Sequence, residues 1–522
     1  MKQQLYTVLL IGLILSACHS PTSTPGITYR REISPRNKGI TKDIAYNDLF
    51  LDSMAMEKFI LAQQIDDTIA DRLRSFYNVR NYEFAWLGSN GPAEQASAFR
   101  SLYNYGRDTI TVRGVDIRLD AMMNNDSLRI SAKNPEMIRM ELLLTCRLIN
   151  FFKETGRNTW QLEHIVPTHR YPVMVLTDSL LAASNQLYPA VAAMKEPLKK
   201  YREYVQQGGW ESVPPLKRVL KKGQSSSAIP AIKERLRITN EYNDSDSSEL
   251  FTDELETAVN LVRNNNGYTQ NGALNDSIVN VLNVPADERL KKLLLNTERM
   301  KWMPAATSGR LITVNIPAFM LHANDNNKRV FDMRVVVGKE GHSTTMFSGM
   351  LNQVVFSPHW NIPRSIIKRE ILPAMSRNKN YLSSRNMEIR GERNGMPVIR
   401  QRPGPRNALG RVKFLFPNSY NIYFHDTPEK RLFDRDNRAY SHGCIRLKDP
   451  LQMATFVLDG MPRWTTERID TAMNSGKEKF VTVKYPVPVI ITYFTAWEDQ
   501  GNIHFANDVY GHDTAFMKKL FR

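Results

Sequence analysis

Two histidines and a cysteine fall within twenty residues late in the chain: His425, fifteen intervening residues, then Ser441-His442-Gly443-Cys444-Ile445-Arg446. An unperturbed thiol has a pKa of about 8.5, so only about 3% is thiolate at pH 7. A nearby imidazole can take the proton or hold the thiolate as an ion pair. The thiolate can then attack an amide carbonyl and form a thioester. A tetrahedral oxyanion develops on the way and needs donors aimed at it. Gly443 lacks a side chain and lets the backbone turn tightly, so the N–H groups of His442, Gly443 and Cys444 are the candidate donors.

Three other readings compete for these residues. His425, His442 and Cys444 could bind zinc, although His-x-Cys is not a usual structural zinc spacing and no further cysteine lies nearby. The cysteine could be an inert core residue, or the site a decayed, non-catalytic copy. The other two cysteines have separate settings. Cys146 sits in the apolar helical stretch Glu141–Asn150 and reads as a small buried hydrophobe. Cys18 follows Leu15-Ser16-Ala17.

The pattern from His425 through Ser441-His442-Gly443-Cys444-Ile445-Arg446 resembles the signature of the L,D-transpeptidase catalytic domain. The segments Asn296–Pro304, Pro358–Pro363, Pro417–Pro428 and Pro486–Trp497 also look like the large periplasmic members of that family. The match is weak before residue 290 and strong after it. The resemblance implies Cys444 as nucleophile and His425 as general base, oriented through its other ring nitrogen by a carbonyl near Asp426. His442 would play a supporting part, since that position varies in the family, and Gly443 with its neighbours would form the oxyanion hole. Arg446 would meet a carboxylate on the substrate, where a guanidinium fork pairs well. A structural salt bridge is the competing role for Arg446. Ser441, Tyr440 and Trp360 are candidates to line the pocket.

Family behaviour implies a peptidoglycan tetrapeptide stem as acyl donor. Cys444 would attack the carbonyl of the third residue, a diamino acid, and expel the terminal D-alanine. An amine of a second stem would resolve the thioester into a 3→3 cross-link. Water would give L,D-carboxypeptidase activity, and a protein amine would give protein-to-peptidoglycan ligation. No metal or organic cofactor is needed, and carbapenems are expected to acylate Cys444. The rival of another class is a non-catalytic peptidoglycan-binding lipoprotein.

The rest of the chain must export, hold and frame these residues. It has 522 residues, 42% apolar and 24% charged, enough for about three domains. Its net charge of +17 favours an acidic partner such as a carboxylate-bearing polymer. Nucleic acid is not expected, because no recognised binding motif accompanies the charge. Lys2, the apolar run Leu5–Leu15 and the small residues before Cys18 resemble a lipoprotein signal over 1–17, with Cys18 lipidated. That implies a periplasmic protein, lipid-anchored to a bacterial envelope membrane and monomeric. Residues 18–45 read as a flexible tether.

The predicted fold is multidomain α+β. A helical scaffold covers 46–221, with Ile65, Ile69, Leu73 and Phe76 as one amphipathic stripe. Glu163, His164 and His169 read as surface groups rather than a metal site. Residues 222–285 resemble the three-helix peptidoglycan-binding module, through the stripes Ile229, Ile232, Leu236 and Phe251, Leu255, Val259. Gly267 and Gly272 mark its glycine-rich turn. The loop 240–248 is longer and more acidic than that pattern. A linker helix is expected over 286–309, broken at Pro304. A mostly-β catalytic domain follows over 310–495, with strands at 311–316, 331–337, 412–416, 420–424 and 487–494. Pro417-Asn418-Ser419 is its expected hairpin turn, and a basic inserted lid covers about 363–408, helical near 366–374. Residues 496–522 form a C-terminal extension.

Overall fold

The computed structural model describes residues 32–105, 114–123, 128–156, 159–183, 189–304 and 308–522. The expected signal segment and Cys18 lie outside the described residues. No helix among the described residues is long and apolar enough to cross a membrane.

The helical domain is built around the 20-residue helix Pro135–Glu154, whose apolar residues are buried on more than one face. Asn134 caps it by accepting from the Glu136 N–H at 2.9 Å, and Pro135 starts it without wasting an amide. Its Glu141 is fully buried and accepts from the N–H groups of Ala85, Trp86 and Leu87 and from the Tyr77 hydroxyl. Those donors satisfy the buried carboxylate and fix the segment leading into the helix Glu94–Asn104. Cys146 lies in this core, 8% exposed, and burial pushes its thiol up to about 12.

Four expectations about the domain plan are corrected. The tether is packed in its described part: Ser34 Oγ donates to Glu163 at 3.0 Å, and Ile40 and Ala45 are buried against the helical domain. The expected linker is a central helix, Ala286–Met300, with Leu290, Leu293, Leu294 and Leu295 all at 0% exposure. A stripe this apolar must be covered, and the helices Lys195–Gln206 and His512–Leu520 cover it. The C-terminal extension therefore belongs to the helical core, where Phe505, Phe516 and Leu520 pack. The three-helix module begins earlier than residue 222, because Val213 and Leu220 share its core.

That module has helices Ile229–Ile238, Asp253–Asn265 and Asp276–Leu282. Its acidic loop folds back on the first helix. Lys233, fully buried, donates to Asp246 at 2.6 Å and to the Ser248 carbonyl at 2.9 Å. The charge pair explains how an ammonium survives burial there.

The conspicuous segment 296–304 is a junction. Arg299 pairs with Glu94 and with Asp513, each at 2.6 Å. Asn296 exchanges two hydrogen bonds with Thr495 at 2.9 Å. Trp302 packs on Trp86 and Phe99. The helical domain, the central helix and the C-terminal helix are locked together there.

Nine strands among the described residues form the catalytic sheet. They are β1 Arg310–Asn315, β2 Met320–Asp325, β3 Lys328–Gly338, β4 Phe347–Phe356, β5 Val412–Leu415, β6 Phe424–His425, β7 Ala439–Ser441, β8 Ile445–Leu447 and β9 Lys479–Thr492. Their order is β7-β3-β8-β6-β5-β4-β9-β1-β2, and a second pairing of β3 with β2 closes the sheet on itself. One face buries Ile312, Val314, Val335, Val354, Phe414 and Ile445 under the helices Pro450–Leu458 and Thr466–Asn474.

The expected strand at 420–424 shortens to Phe424–His425. Asn418 is the cause. Its side-chain amide donates to the Phe416 and Ile422 carbonyls at 2.7 Å, and its Oδ1 accepts from the Tyr420 and Ile422 N–H groups. A side chain that satisfies the backbone this way replaces ladder pairing with a loop. The turn at Pro417-Asn418-Ser419 is therefore part of a wide loop over 416–423.

The inserted lid starts at Trp360, slightly before the expected boundary. Strands Trp360–Asn361, Met387–Arg393 and Met396–Gln401 form its own small sheet. Its helical part runs Arg364–Ile366, a π-helical turn Ile367–Ile371, then Leu372–Arg377. Pro373 has no N–H to give, which fits a change of hydrogen-bond register just before it.

Candidate active site

β6 and β8 run side by side and parallel, with Phe424 opposite Ile445 and His425 opposite Arg446. Side chains alternate along a strand, so Phe424 and Ile445 enter the core while His425 and Arg446 share the other face. The same alternation brings Tyr423 and Cys444 to that face. Electrostatic contacts of Cys444 with Tyr423 and Arg446, and of His425 with Arg446, place these four side chains together.

His425 is 5% exposed, and its Nδ1 lies 2.5 Å from the Asp426 carbonyl oxygen. A carbonyl only accepts, so Nδ1 carries the proton and Nε2 keeps its lone pair. Burial, and next the Arg446 charge, push the imidazole down to about 3. It is therefore neutral at pH 7. Asp426 is itself fixed: its carboxylate accepts from the Arg411 N–H at 2.9 Å and pairs with Lys430 at 2.7 Å. Gly410 has φ +62, and a Cβ there would stand 2.3 Å from the Asp426 carboxyl, so only glycine admits this arrangement.

Cys444 is partly exposed, and its Sγ donates to the Asn421 carbonyl at 3.6 Å. Burial raises its pKa, opposed by the Tyr423 N–H, the Tyr423 hydroxyl and Arg446. Burial also holds the Tyr423 phenol well above its ordinary range, so it remains a donor. The thiol and the imidazole are thus both neutral, and no hydrogen bond joins them in this structure. His425 stands one pleat farther along the strands than Cys444.

The loop before the thiol is held from inside. Ser441 Oγ accepts from the Gly443 N–H at 3.1 Å and donates to the Cys444 carbonyl at 2.5 Å. Gly443 adopts φ +111, and its carbonyl accepts from Thr344 Oγ1 at 2.8 Å. The Gly443 amide is therefore occupied, which corrects one of the three candidate oxyanion donors. Among the described residues the amides of His442 and Cys444 have no partner. Ser441 is a brace of the loop rather than a pocket wall.

The remaining expected residues separate. His442 is exposed and faces the lid, with Nε2 3.1 Å from Glu370 on the π-helical turn. His425 and His442 thus face different partners, and no group of three potential ligands among the described residues could hold a metal ion. Among the described residues Arg446 makes no ion pair, although the Glu429 charge acts on it, and its buried Nε has no hydrogen-bond partner. The salt-bridge alternative for it therefore fails. Tyr440 packs with Val336, Leu432 and Phe433, with β3 between it and β8, and its hydroxyl accepts from Arg435 at 3.2 Å. Trp360 packs with Ile362, Ile366 and Ile399 in the core of the lid. Of the two roles open to each, pocket lining and packing, the structure shows packing for both.

Sequence reasoning missed Tyr423, Asn421 and Arg100. Tyr423 had a usable signal, since it lies two residues before His425 on an extended segment and so shares its face. Arg100 had none. From the helix Glu94–Asn104 it donates to the Tyr420 hydroxyl at 2.8 Å and to Ser419 Oγ at 3.3 Å, while also pairing with Asp120. The helical domain thus anchors the loop whose Asn421 carbonyl holds the thiol. Tyr420→Phe removes only the hydroxyl. It is expected to slow alkylation of Cys444 by iodoacetamide or its acylation about tenfold, the scale of one charge-assisted hydrogen bond. An unchanged rate would show that the anchor does not reach the thiol.

Comparison with known proteins follows this division. Residues 309–469 match the YkuD model, the L,D-transpeptidase catalytic domain, and residues 71–207 match the Scaffold domain. A Haemophilus influenzae protein assigned as an L,D-transpeptidase is 34% identical over 239 residues, covering 43% of this chain and 48% of the relative. The chain thus matches about half the length of that curated relative. Solved L,D-transpeptidases give low overlaps. One from Stackebrandtia nassauensis has TM-score 0.21 and 12% identity over 55% of this chain and 99% of its own. One from Mycobacterium smegmatis has TM-score 0.20 and 14% identity over 35% and 59%. Those overlaps carry no argument here, whereas the domain matches fall on the closed sheet and the helical domain that frames it. Residues 309–469 therefore belong to the YkuD family of L,D-transpeptidase catalytic domains, in a chain that also carries a Scaffold domain.

Proposed function

We propose that the protein is a cysteine-dependent peptidoglycan L,D-transpeptidase that forms 3→3 cross-links through a Cys444 thioester. The observation that carries this reading is a partly exposed thiol on one face with a neutral, correctly tautomerised imidazole and an arginine that forms no ion pair among the described residues. Arg446 is suited to a stem carboxylate, since the ligand would supply the partner the chain withholds.

His425 Nε2 takes the Cys444 proton as Sγ attacks the carbonyl of the third stem residue. Binding of the donor closes the gap between thiol and imidazole, a tightening that resting sites often await. The amides of His442 and Cys444 receive the oxyanion. The C–N bond breaks, the imidazolium returns its proton to the departing D-alanine amine, and the thioester remains. A side-chain amine of a second stem then attacks, His425 removes its proton, and Sγ leaves as thiolate. The basic lid, already joined to the thiol loop through Glu370 and His442, would cover the stem.

The reading extends to the envelope. The protein is exported with residues 1–17 as signal, lipidated at Cys18 and held at the periplasmic face as a monomer, with the three-helix module touching the wall. The test is product analysis of a disaccharide-tetrapeptide incubated with the protein. A cross-linked dimer joining two third-position residues, with free D-alanine, is expected. Tripeptide alone would make it an L,D-carboxypeptidase, and unaltered donor would refute the reading.

A further inference from the structure

We propose that the cleft between the helical domain and the three-helix module binds a carboxylate-bearing wall peptide, with Arg289 and Arg235 as the anion-binding pair. The choice of a wall peptide rests on the function proposed above. The cleft itself rests on separate observations.

The cleft holds about 850 Å³, the scale of a short peptide or glycopeptide. Its floor comes from both bodies: Tyr201 and Tyr204 of the helical domain, Arg289 of the central helix, and Arg235 and Asn265 of the module. Arg289 is 6% exposed. Its Nη2 donates to the Val281 carbonyl at 2.6 Å, its Nε has no partner, and its guanidinium stacks 4.3 Å from the Phe505 ring. Arg235 is 4% exposed. It donates from Nε to the Leu282 carbonyl at 3.0 Å and from Nη1 to Thr239 at 2.9 Å, and it stacks 3.6 Å from the Trp210 ring. Among the described residues neither guanidinium has an ion pair, although the Glu241 carboxylate shares the lining and acts on both, whereas the buried strut Arg299 carries two carboxylates.

Two buried cations facing one cavity oppose each other's charge. Burial first, and Arg289 among its neighbours, push Arg235 down to about 10, with Glu241 the chief acidic group acting against this. A carboxylate entering the cleft would relieve that cost and satisfy the free N–H edges. The same lining also asks for a second kind of group. Asn265 Oδ1 is buried without a partner and can only accept, so the ligand must also bring an N–H or O–H. A peptide supplies both a carboxylate and amide N–H groups, while inorganic phosphate at neutral pH is the poorer complement. The cleft is also tied to the catalytic domain. Four residues beyond Asn265, the Thr269 N–H and hydroxyl donate to Asp436, in the segment leading into β7.

The test is calorimetric titration of the full chain carrying Cys444→Ala with soluble disaccharide-tetrapeptide. Binding is expected to weaken at least tenfold when Arg289→Gln or Asn265→Leu is added, and likewise when the fragment's carboxylates are amidated. Asn265 lies at a helix end, so its variant decides the matter should Arg289→Gln fail to fold. Unchanged affinity in folded variants, or equal binding of the amidated fragment or of inorganic phosphate, would overturn the proposal. Failure of the catalytic reading would look different, as an absent Cys444 adduct with cleft binding intact.

Discussion

Cys444→Ala is expected to lower turnover of a tetrapeptide donor by at least about a thousandfold, with little change in melting temperature. The thiol is partly exposed and neutral and donates to a loop carbonyl, so its removal leaves no buried charge and only a small void. Cys146→Ala is the control. That thiol is buried on the helix Pro135–Glu154 and has no imidazole to act with, so its loss should affect stability rather than rate. A Cys444 variant with near-normal turnover would remove the nucleophile from the account.

His425→Gln is expected to slow acylation by about 10²- to 10⁴-fold, the usual contribution of a positioned proton acceptor. It should also change how stability depends on pH. In the unfolded chain the imidazole binds a proton below pH 6.5, whereas in the fold burial and then Arg446 hold it at about 3. Between those values the unfolded state binds more protons, so the wild type loses stability as pH falls through the window. The slope from this residue is up to about 1.4 kcal/mol per pH unit. Glutamine does not titrate, so the variant should lose less stability than wild type between pH 6.5 and 4.5 in thermal melts. Parallel losses would mean that His425 is not buried neutral. The same depressed value predicts that activity does not fall off near pH 6.5, where an ordinary histidine would charge.

The candidate site was legible in the sequence because its motif is local. The thiol, its brace Ser441 and its glycine fall within four residues, and His425 precedes them at the end of a segment that its aromatic and β-branched residues marked as a strand. Face-sharing of Tyr423 with His425 was legible in principle from the same period of two. Arg100, Arg299 and Arg289 were not, because each acts across 200 to 400 residues of chain or across a domain boundary, and single-sequence periodicity carries no such register. The central helix shows the same limit. Its stripe marked it as a helix, but nothing local said that the C-terminal segment returns to cover it. Trp360 and Tyr440 stayed open between pocket and core for a related reason. A large aromatic beside a motif satisfies a core as readily as a pocket, and here each found a core, one in the lid and one against Leu432 and Phe433.

The central claim is that the sulfur of Cys444 becomes acylated by a stem peptide. Intact-mass analysis of the protein seconds after mixing with a disaccharide-tetrapeptide tests it most directly. The account predicts a mass increase equal to the donor less D-alanine, mapped to Cys444 and absent from Cys444→Ala. Cross-linked product formed without that adduct, or an adduct that persists in Cys444→Ala, would contradict it.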